Sequence, residues 1–340
     1  MQNNYNIFKN LILYTFVVLL VFFLYKIQQL LIVFFAGFIL ASAIDPLVEG
    51  LSKKIPRKYS LIVVCGGLLL TLLLFFIPFL NIFIQQILLF LERVPVYWEE
   101  IKNYTLGIDK WIASIEQAGI LPNVSQIMSF ASSLGQNIIT GSIGLTKNFL
   151  TAIAFLLTTI TVTLYMLIDK KQLTEKSLRL FPPAIREKTK EIFCIISKKV
   201  GGYVVSQVII IFVLGLLVSV GLALIGVEFS LILGSLAAVL ELIPIVGPII
   251  AAVIIVLVAL AQQPILAIWA LVVYLVVEWL VDNFVRPFVF GKFLNIHPLT
   301  LILALFVGVM FFGVPGLILA PAGAAVVSVL IEEIYIKNYG

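Results

Sequence analysis

The stretch FSLILGSLAAVLELIPIVGPIIAAVIIVLVALA (residues 229–261) decides the fold. About 20 apolar residues cross the roughly 30 Å hydrocarbon core of a bilayer, so this run is far too long for one crossing. Its middle, ELIPIVGP (241–248), sets a carboxylate, two prolines and a glycine between apolar flanks. Proline removes a backbone amide and clashes with the preceding turn, so the segment divides there. Each half is then about 14–17 residues, or about 21–26 Å of helix, short of the core. Two geometries fit: a re-entrant hairpin with its tip inside the membrane, or one long tilted helix kinked at proline. Irregular backbone at membrane depth is tolerated only where it lines a cavity or is buried in protein.

The same pattern recurs. Residues 298–333 are again too long for one span and are divided by GVPG, with Gly313, Pro315 and Gly316 as the hairpin tip or hinge. A clean apolar run at 203–225 precedes the first broken segment, and one at 264–281 separates the two. Span, broken pair, span, broken pair is the order of inverted repeats with discontinuous helices, which build transport sites. In that geometry the first hairpin enters from outside, the second enters from inside, and the two frame one site.

Composition agrees. Of 340 residues, 62% are hydrophobic and 11% charged, with a mean hydropathy of +1.19. Soluble domains carry about 25% charged residues, so this chain has too few to cover itself with a hydrated surface. The apolar runs are continuous rather than alternating, which excludes a barrel. The expected fold is an all-α polytopic membrane protein with about six full spans plus two re-entrant hairpins, or alternatively eight spans. The first run, 11–25, lacks a small-x-small cleavage site and reads as a retained helix. A single histidine rules out a multi-histidine metal site, and no cofactor is expected. The net charge of +5 needs no nucleic acid, because inner loops of membrane proteins are rich in Lys and Arg.

Those basic residues orient the chain. Residues 52–60 hold Lys53, Lys54, Arg57 and Lys58 without an acid, and 169–199 carry nine Lys/Arg against four Asp/Glu. With spans at 11–25, 28–44, 61–91 and 149–168, both loops fall on the cytoplasmic side, as do both termini. The chain then reads as N-terminal membrane helices (1–91), an extracytoplasmic amphipathic segment (92–148), a membrane helix (149–168), a cytoplasmic helical linker divided at Pro182–Pro183 (169–202), and a transport core (203–335). In the outer segment Tyr97, Ile101, Tyr104, Ile108, Trp111 and Ile115 form a helical stripe, followed by a weaker one at 124–138. The stripes pack on each other or on a neighbouring subunit of a homo-oligomer.

An ionisable group inside an apolar segment costs about 3 kcal/mol on insertion scales, so it faces protein or water. Glu241 is such a group. It reads as a proton or cation carrier, or as a cap for amides freed around Pro244, Gly247 and Pro248. Glu278, Asp282 and Arg286 follow at four-residue spacing and share one helix face, with Asn283 alongside and Pro287 stopping the helix. Arg286 is expected to neutralise Asp282, leaving Glu278 one turn deeper and less compensated. Gln207, after Gly201 and Gly202, packs across an interface or faces the substrate. Thr158, Thr159, Thr161 and Thr163 bond their own helix. Trp269, Trp279 and Tyr274 read as packing or interfacial aromatics, and His297 as a loop anchor or a proton relay.

Taken in order, Pro182–Pro183 with Arg186, GGYVVSQ (201–207), ELIPIVGP (241–248), NFVRPFVFGKFLNIHPL (283–299) and FGVPGLILAPAGAA (312–325) resemble the autoinducer-2 exporter family over roughly residues 10–335. The resemblance implies a multi-pass transporter of the bacterial cytoplasmic membrane, exporting a small solute or exchanging Na+ or Li+ for H+. Gly201, Gly202, Gln207, Pro244, Gly247, Pro248, Asn283, Pro287, Gly291, His297 and Pro298 match the family pattern. Glu241 stands where many members carry Asn, and Arg286 where a small polar residue is frequent. Those departures add charge and favour ion coupling over a neutral furanone. Without a nucleotide-binding P-loop, any drive comes from ion or substrate gradients. The competing reading is a membrane scaffold without transport activity. A sequence with one histidine, no H-E-x-x-H and no serine beside a credible base gives no support to an intramembrane enzyme.

Overall fold

The structure is a computed structural model, and it describes residues 26–104, 147–290 and 298–336, together with 15, 19, 22 and 23. The apolar run at 11–25 falls mostly outside the described residues. So do the outer stripes beyond Tyr104, and Gly291 and His297.

In chain order the helices are α1 (Gln28–Ser52), α2 (Arg57–Tyr104), α3 (Lys147–Ile168), α4 (Lys170–Arg179), α5 (Arg186–Leu224), α6 (Ser230–Leu240), α7 (Val246–Gln262), α8 (Pro264–Leu280), α9 (Arg286–Phe290) and α10 (Pro298–Leu330). There is no strand among the described residues, so this is an all-α polytopic membrane protein. Four described segments are long and apolar enough to cross a bilayer: Gln28–Ser52, Pro183–Leu224, Pro264–Phe290 and Leu299–Tyr335. Large side chains such as Phe212, Phe306 and Met310 stand exposed, which costs nothing where the solvent is lipid. Pro182 and Pro183 separate α4 from α5 through one 3-10 turn. α2 passes residue 92 without a break; its 48 residues rise about 72 Å, beyond the roughly 40–45 Å of a whole bilayer.

The chain forms two compact units. One comprises residues 1–46, 154–201 and 295–340; the other comprises 47–153 and 202–294. The two broken segments belong to different units.

In the second unit α6 and α7 are the arms of a hairpin. The Glu228 amide donates to Gln262 Oε1 at 3.1 Å, although 34 residues separate them. A straight or gently kinked rod would hold them about 51 Å apart. The arms have 11 and 17 residues, about 17 and 26 Å, so the first is shorter than the sequence suggests and neither spans the core. The open end of the hairpin is fixed by α2. Arg93 pairs with Glu228 at 2.9 Å, and the Tyr97 hydroxyl donates to the same carboxylate at 2.8 Å. Phe90 meets Phe229 edge to face. Tyr97, the first residue of the outer stripe, is thus buried inside its own chain. α5, α7 and α8 supply the aliphatic core beneath, including Ile210, Leu214, Val218, Ile255 and Ala270.

In the first unit α10 also folds back. Its torsions break at Gly313 (φ 62, ψ −143), a region open to glycine alone. A Cβ placed on Gly308 would lie 3.1 Å from Ala320 Cβ, whereas twelve residues of straight helix would separate them by about 18 Å. The segment is therefore two arms and not one long crossing. The hydroxyls of Thr158, Thr159, Thr161 and Thr163 each donate to the carbonyl four residues back on α3, as expected of threonines in an apolar helix.

Candidate functional site

The α6–α7 tip begins where α6 ends at Leu240. Its amides are met by backbone: Ile243 N–H donates to Leu240 O at 2.8 Å and Gly247 N–H to Ile243 O at 2.9 Å. Val246 N–H donates to Pro244 O at 2.8 Å across Ile245, whose φ of 71 and ψ of −55 make a positive-φ γ-turn. That turn is rare and strained, and here a β-branched residue occupies it. Gly247 cannot carry a side chain, since its Cβ would fall on the Leu240 carbonyl.

Neither carboxylate oxygen of Glu241 accepts from a tip amide, so Glu241 is no cap. Its side chain is 2% exposed, and Oε1 forms an ion pair with Arg286 Nη2. The other oxygen, Oε2, is buried and has no hydrogen-bond partner among the described residues. Arg286 also holds Asp282, with Nε donating to Oδ1 at 2.5 Å. One guanidinium thus serves two carboxylates, one sealed inside the hairpin tip and one on the exposed edge. Gln207 of α5, 6% exposed, donates from Nε2 to the Glu241 backbone carbonyl at 3.0 Å. Ser206 beside it donates to Val289 O at 3.0 Å, and Tyr203 stacks on Phe290.

The helix after α8 does not stop at Pro287. Residues Val281–Val285 form a π-turn, and α9 continues to Phe290 with Pro287 in its first turn. Wide i→i−5 bonding absorbs the missing proline amide, and an early helical position requires none. The π-turn contains Asp282 and ends just before Arg286, whose guanidinium reaches Glu241 as well as Asp282.

Of the residues singled out in the sequence, Gln207, Glu241, Pro244, Gly247, Pro248, Glu278, Asp282 and Arg286 belong to this one neighbourhood of the second unit. Asn283 is turned away, donating to Trp279 O at 2.8 Å on its own helix. Gly313, Pro315 and Gly316 lie in the other unit, where Gly316 is buried against Gly308. Sequence reasoning missed Tyr274. It is 2% exposed, and its hydroxyl lies 2.6 Å from Glu278 Oε1 and 3.1 Å from Pro248 O. Its four-residue spacing from Glu278 was the available signal.

Comparison with known proteins gives a consistent result. The family model described as AI-2E family transporter matches residues 12–336. YueF of Bacillus subtilis is 31% identical over 290 residues, covering 83% of this chain and 78% of that protein. YrrI of the same organism is 24% identical over 294 residues, 84% of this chain and 81% of YrrI. A Mycobacterium tuberculosis protein, MT0215, is 36% identical over 104 residues, 30% of this chain and 28% of its own length. All three are named only as candidate transport proteins.

Proposed function

The chain belongs to the AI-2E family of transporters, and we propose that it works as a secondary transporter exchanging a monovalent cation, Na+ or Li+, for protons at the α6–α7 tip. The observation that carries this reading is Glu241: a carboxylate sealed in protein, with one oxygen paired to Arg286 and the other unpartnered. Such an oxygen is a receptor for a proton or a small cation. Arg286 makes the exchange feasible. When a cation or proton takes Glu241, the guanidinium keeps Asp282 and is not stranded.

In this reading α6–α7 and the two arms of α10 are re-entrant hairpins of the cytoplasmic membrane, entering from outside and inside respectively. Both termini are cytoplasmic. Residues 92–148 form an extracytoplasmic segment that serves contacts in a homo-oligomer, and 203–335 form the transport core.

Everted membrane vesicles loaded with a proton-gradient dye test the proposal. Added sodium or lithium is expected to collapse the gradient, and Glu241→Gln to abolish the response. Wild-type vesicles that ignore both cations would refute exchange, and labelled autoinducer-2 in the same vesicles would then measure export of an organic solute.

A further inference from the structure

We infer that Tyr274 is a positioning residue: a hydrogen-bond switch through which the proton on Glu278 decides whether α8 holds the tip of the α6–α7 hairpin. The phenol carries one proton, and the structure sets two acceptors around it, Glu278 Oε1 at 2.6 Å and the Pro248 carbonyl at 3.1 Å. Both bonds cannot be fully made from one donor. With Glu278 ionised, the carboxylate takes the phenolic proton in a charge-assisted bond about twice as strong as a neutral one, and the Pro248 carbonyl is left without it. With Glu278 protonated, the acid donates to the phenolic oxygen, and the phenol turns its own proton to Pro248. Pro248 belongs to the first turn of α7, three residues from the strained Ile245 turn and seven from Glu241. The proton thus fastens the moving part.

The surroundings confine the titration to few groups. Glu278 is faced along its own run by Tyr274 and Asp282, from α9 by Arg286, and at the tip by Glu241. α7 contains no ionisable residue, and the part of α5 in this unit contains only Tyr203. Glu278 is half-buried and Asp282 is exposed, so the Asp282 edge is the side from which a proton reaches Glu278.

The switch rests on reading the tip as the mobile element of transport, and hydrogen–deuterium exchange measures tip docking without requiring transport. The full-length protein in nanodiscs is labelled across a pH series. Exchange of peptides covering 241–248 is corrected by the rates of the same peptides from unfolded chain. In wild type, tip protection is expected to fall with rising pH, by up to about tenfold per pH unit as one proton is lost. Glu278→Gln supplies a permanent donor to the phenol, so the tip is expected to stay protected at every pH. Tyr274→Phe removes the relay, and protection is expected to be low and independent of pH. A wild-type tip whose protection ignores pH, or a Tyr274→Phe or Glu278→Gln protein that keeps the wild-type slope, overturns the switch. A merely structural Tyr274 would lower protection while leaving that slope intact. Absence of a cation response in vesicles would defeat ion exchange without touching the exchange slope, so the two ideas fail separately.

Discussion

Replacing Arg286 by Gln leaves Glu241 worse off than replacing Glu241 leaves Arg286. Glu241 has 2% of its side chain exposed, and its second oxygen has no partner among the described residues. Removing the guanidinium therefore strands a charge in the hairpin tip, and breaking a buried pair in this way costs about 3–5 kcal/mol. In the opposite variant, Glu241→Gln, Arg286 keeps Asp282 and is 30% exposed, so the loss is about 1 kcal/mol, that of a net hydrogen bond. The double variant Glu241→Gln/Arg286→Gln buries no charge, and the cycle is expected to show a coupling of about 2–4 kcal/mol. Unfolding of the four proteins in nanodiscs, followed by tryptophan fluorescence, measures it. The gap is expected to be largest at high pH, where Glu241 is charged, and to close as pH falls, because a protonated Glu241 needs no counter-ion. If Arg286→Gln is no less stable than Glu241→Gln, or the double variant is worse than Arg286→Gln, Glu241 is not a sealed carboxylate and the site has been misread.

Gly247→Ala drives a methyl into the Leu240 carbonyl. Backbone must move, so the cost is expected to be about 1–3 kcal/mol, with loss of cation response in vesicles. Ile245→Gly relieves the positive φ at a half-exposed position and is expected to raise stability by about 1 kcal/mol while altering transport rate, measured on the same preparations. Gly313→Ala places a side chain at φ 62, ψ −143, and is expected to cost about 1–3 kcal/mol and to raise hydrogen exchange across the α10 fold-back.

The fold was legible wherever a length could be set against the bilayer. Residues 229–261 and 298–333 were each too long for one span and too short for two, and Pro244, Pro248 and Gly313 marked where they bend. That argument left hairpin and kink open, because the deciding contacts join residues far apart in sequence. Glu228 meets Gln262, and Gly308 approaches Ala320. The acids and Arg286 were legible as expensive charges in apolar surroundings. The Arg286–Asp282 pair was legible too, from four-residue spacing, but the Arg286–Glu241 pair was not, because 45 residues separate the two. For Tyr274 the spacing from Glu278 was visible, but the second acceptor was not. A tyrosine in an apolar helix looks like packing until the Pro248 carbonyl, 26 residues earlier, is placed opposite it.

The proposed exchange requires the tip to be released. Ile243, Val246 and Gly247 donate to carbonyls of the tip itself, so these bonds do not tie it to the rest of the unit. The polar attachments found to the rest of the unit are side-chain bonds from three helices: Gln207 to the Glu241 carbonyl, Tyr274 to the Pro248 carbonyl, and Arg286 to the Glu241 carboxylate. Two ordinary bonds and one charge-assisted bond amount to about 3–5 kcal/mol net. Inverting a two-state equilibrium from 1:99 to 99:1 takes about 5.5 kcal/mol of differential binding, so these attachments are of a size that one bound ion and one proton can overturn. A tip stitched to the core by backbone ladders would be too firm for such a trigger, and a tip with no polar attachments would give the ion nothing to act on. The distribution of the bonds, more than their number, argues that the break in residues 241–248 is a moving part.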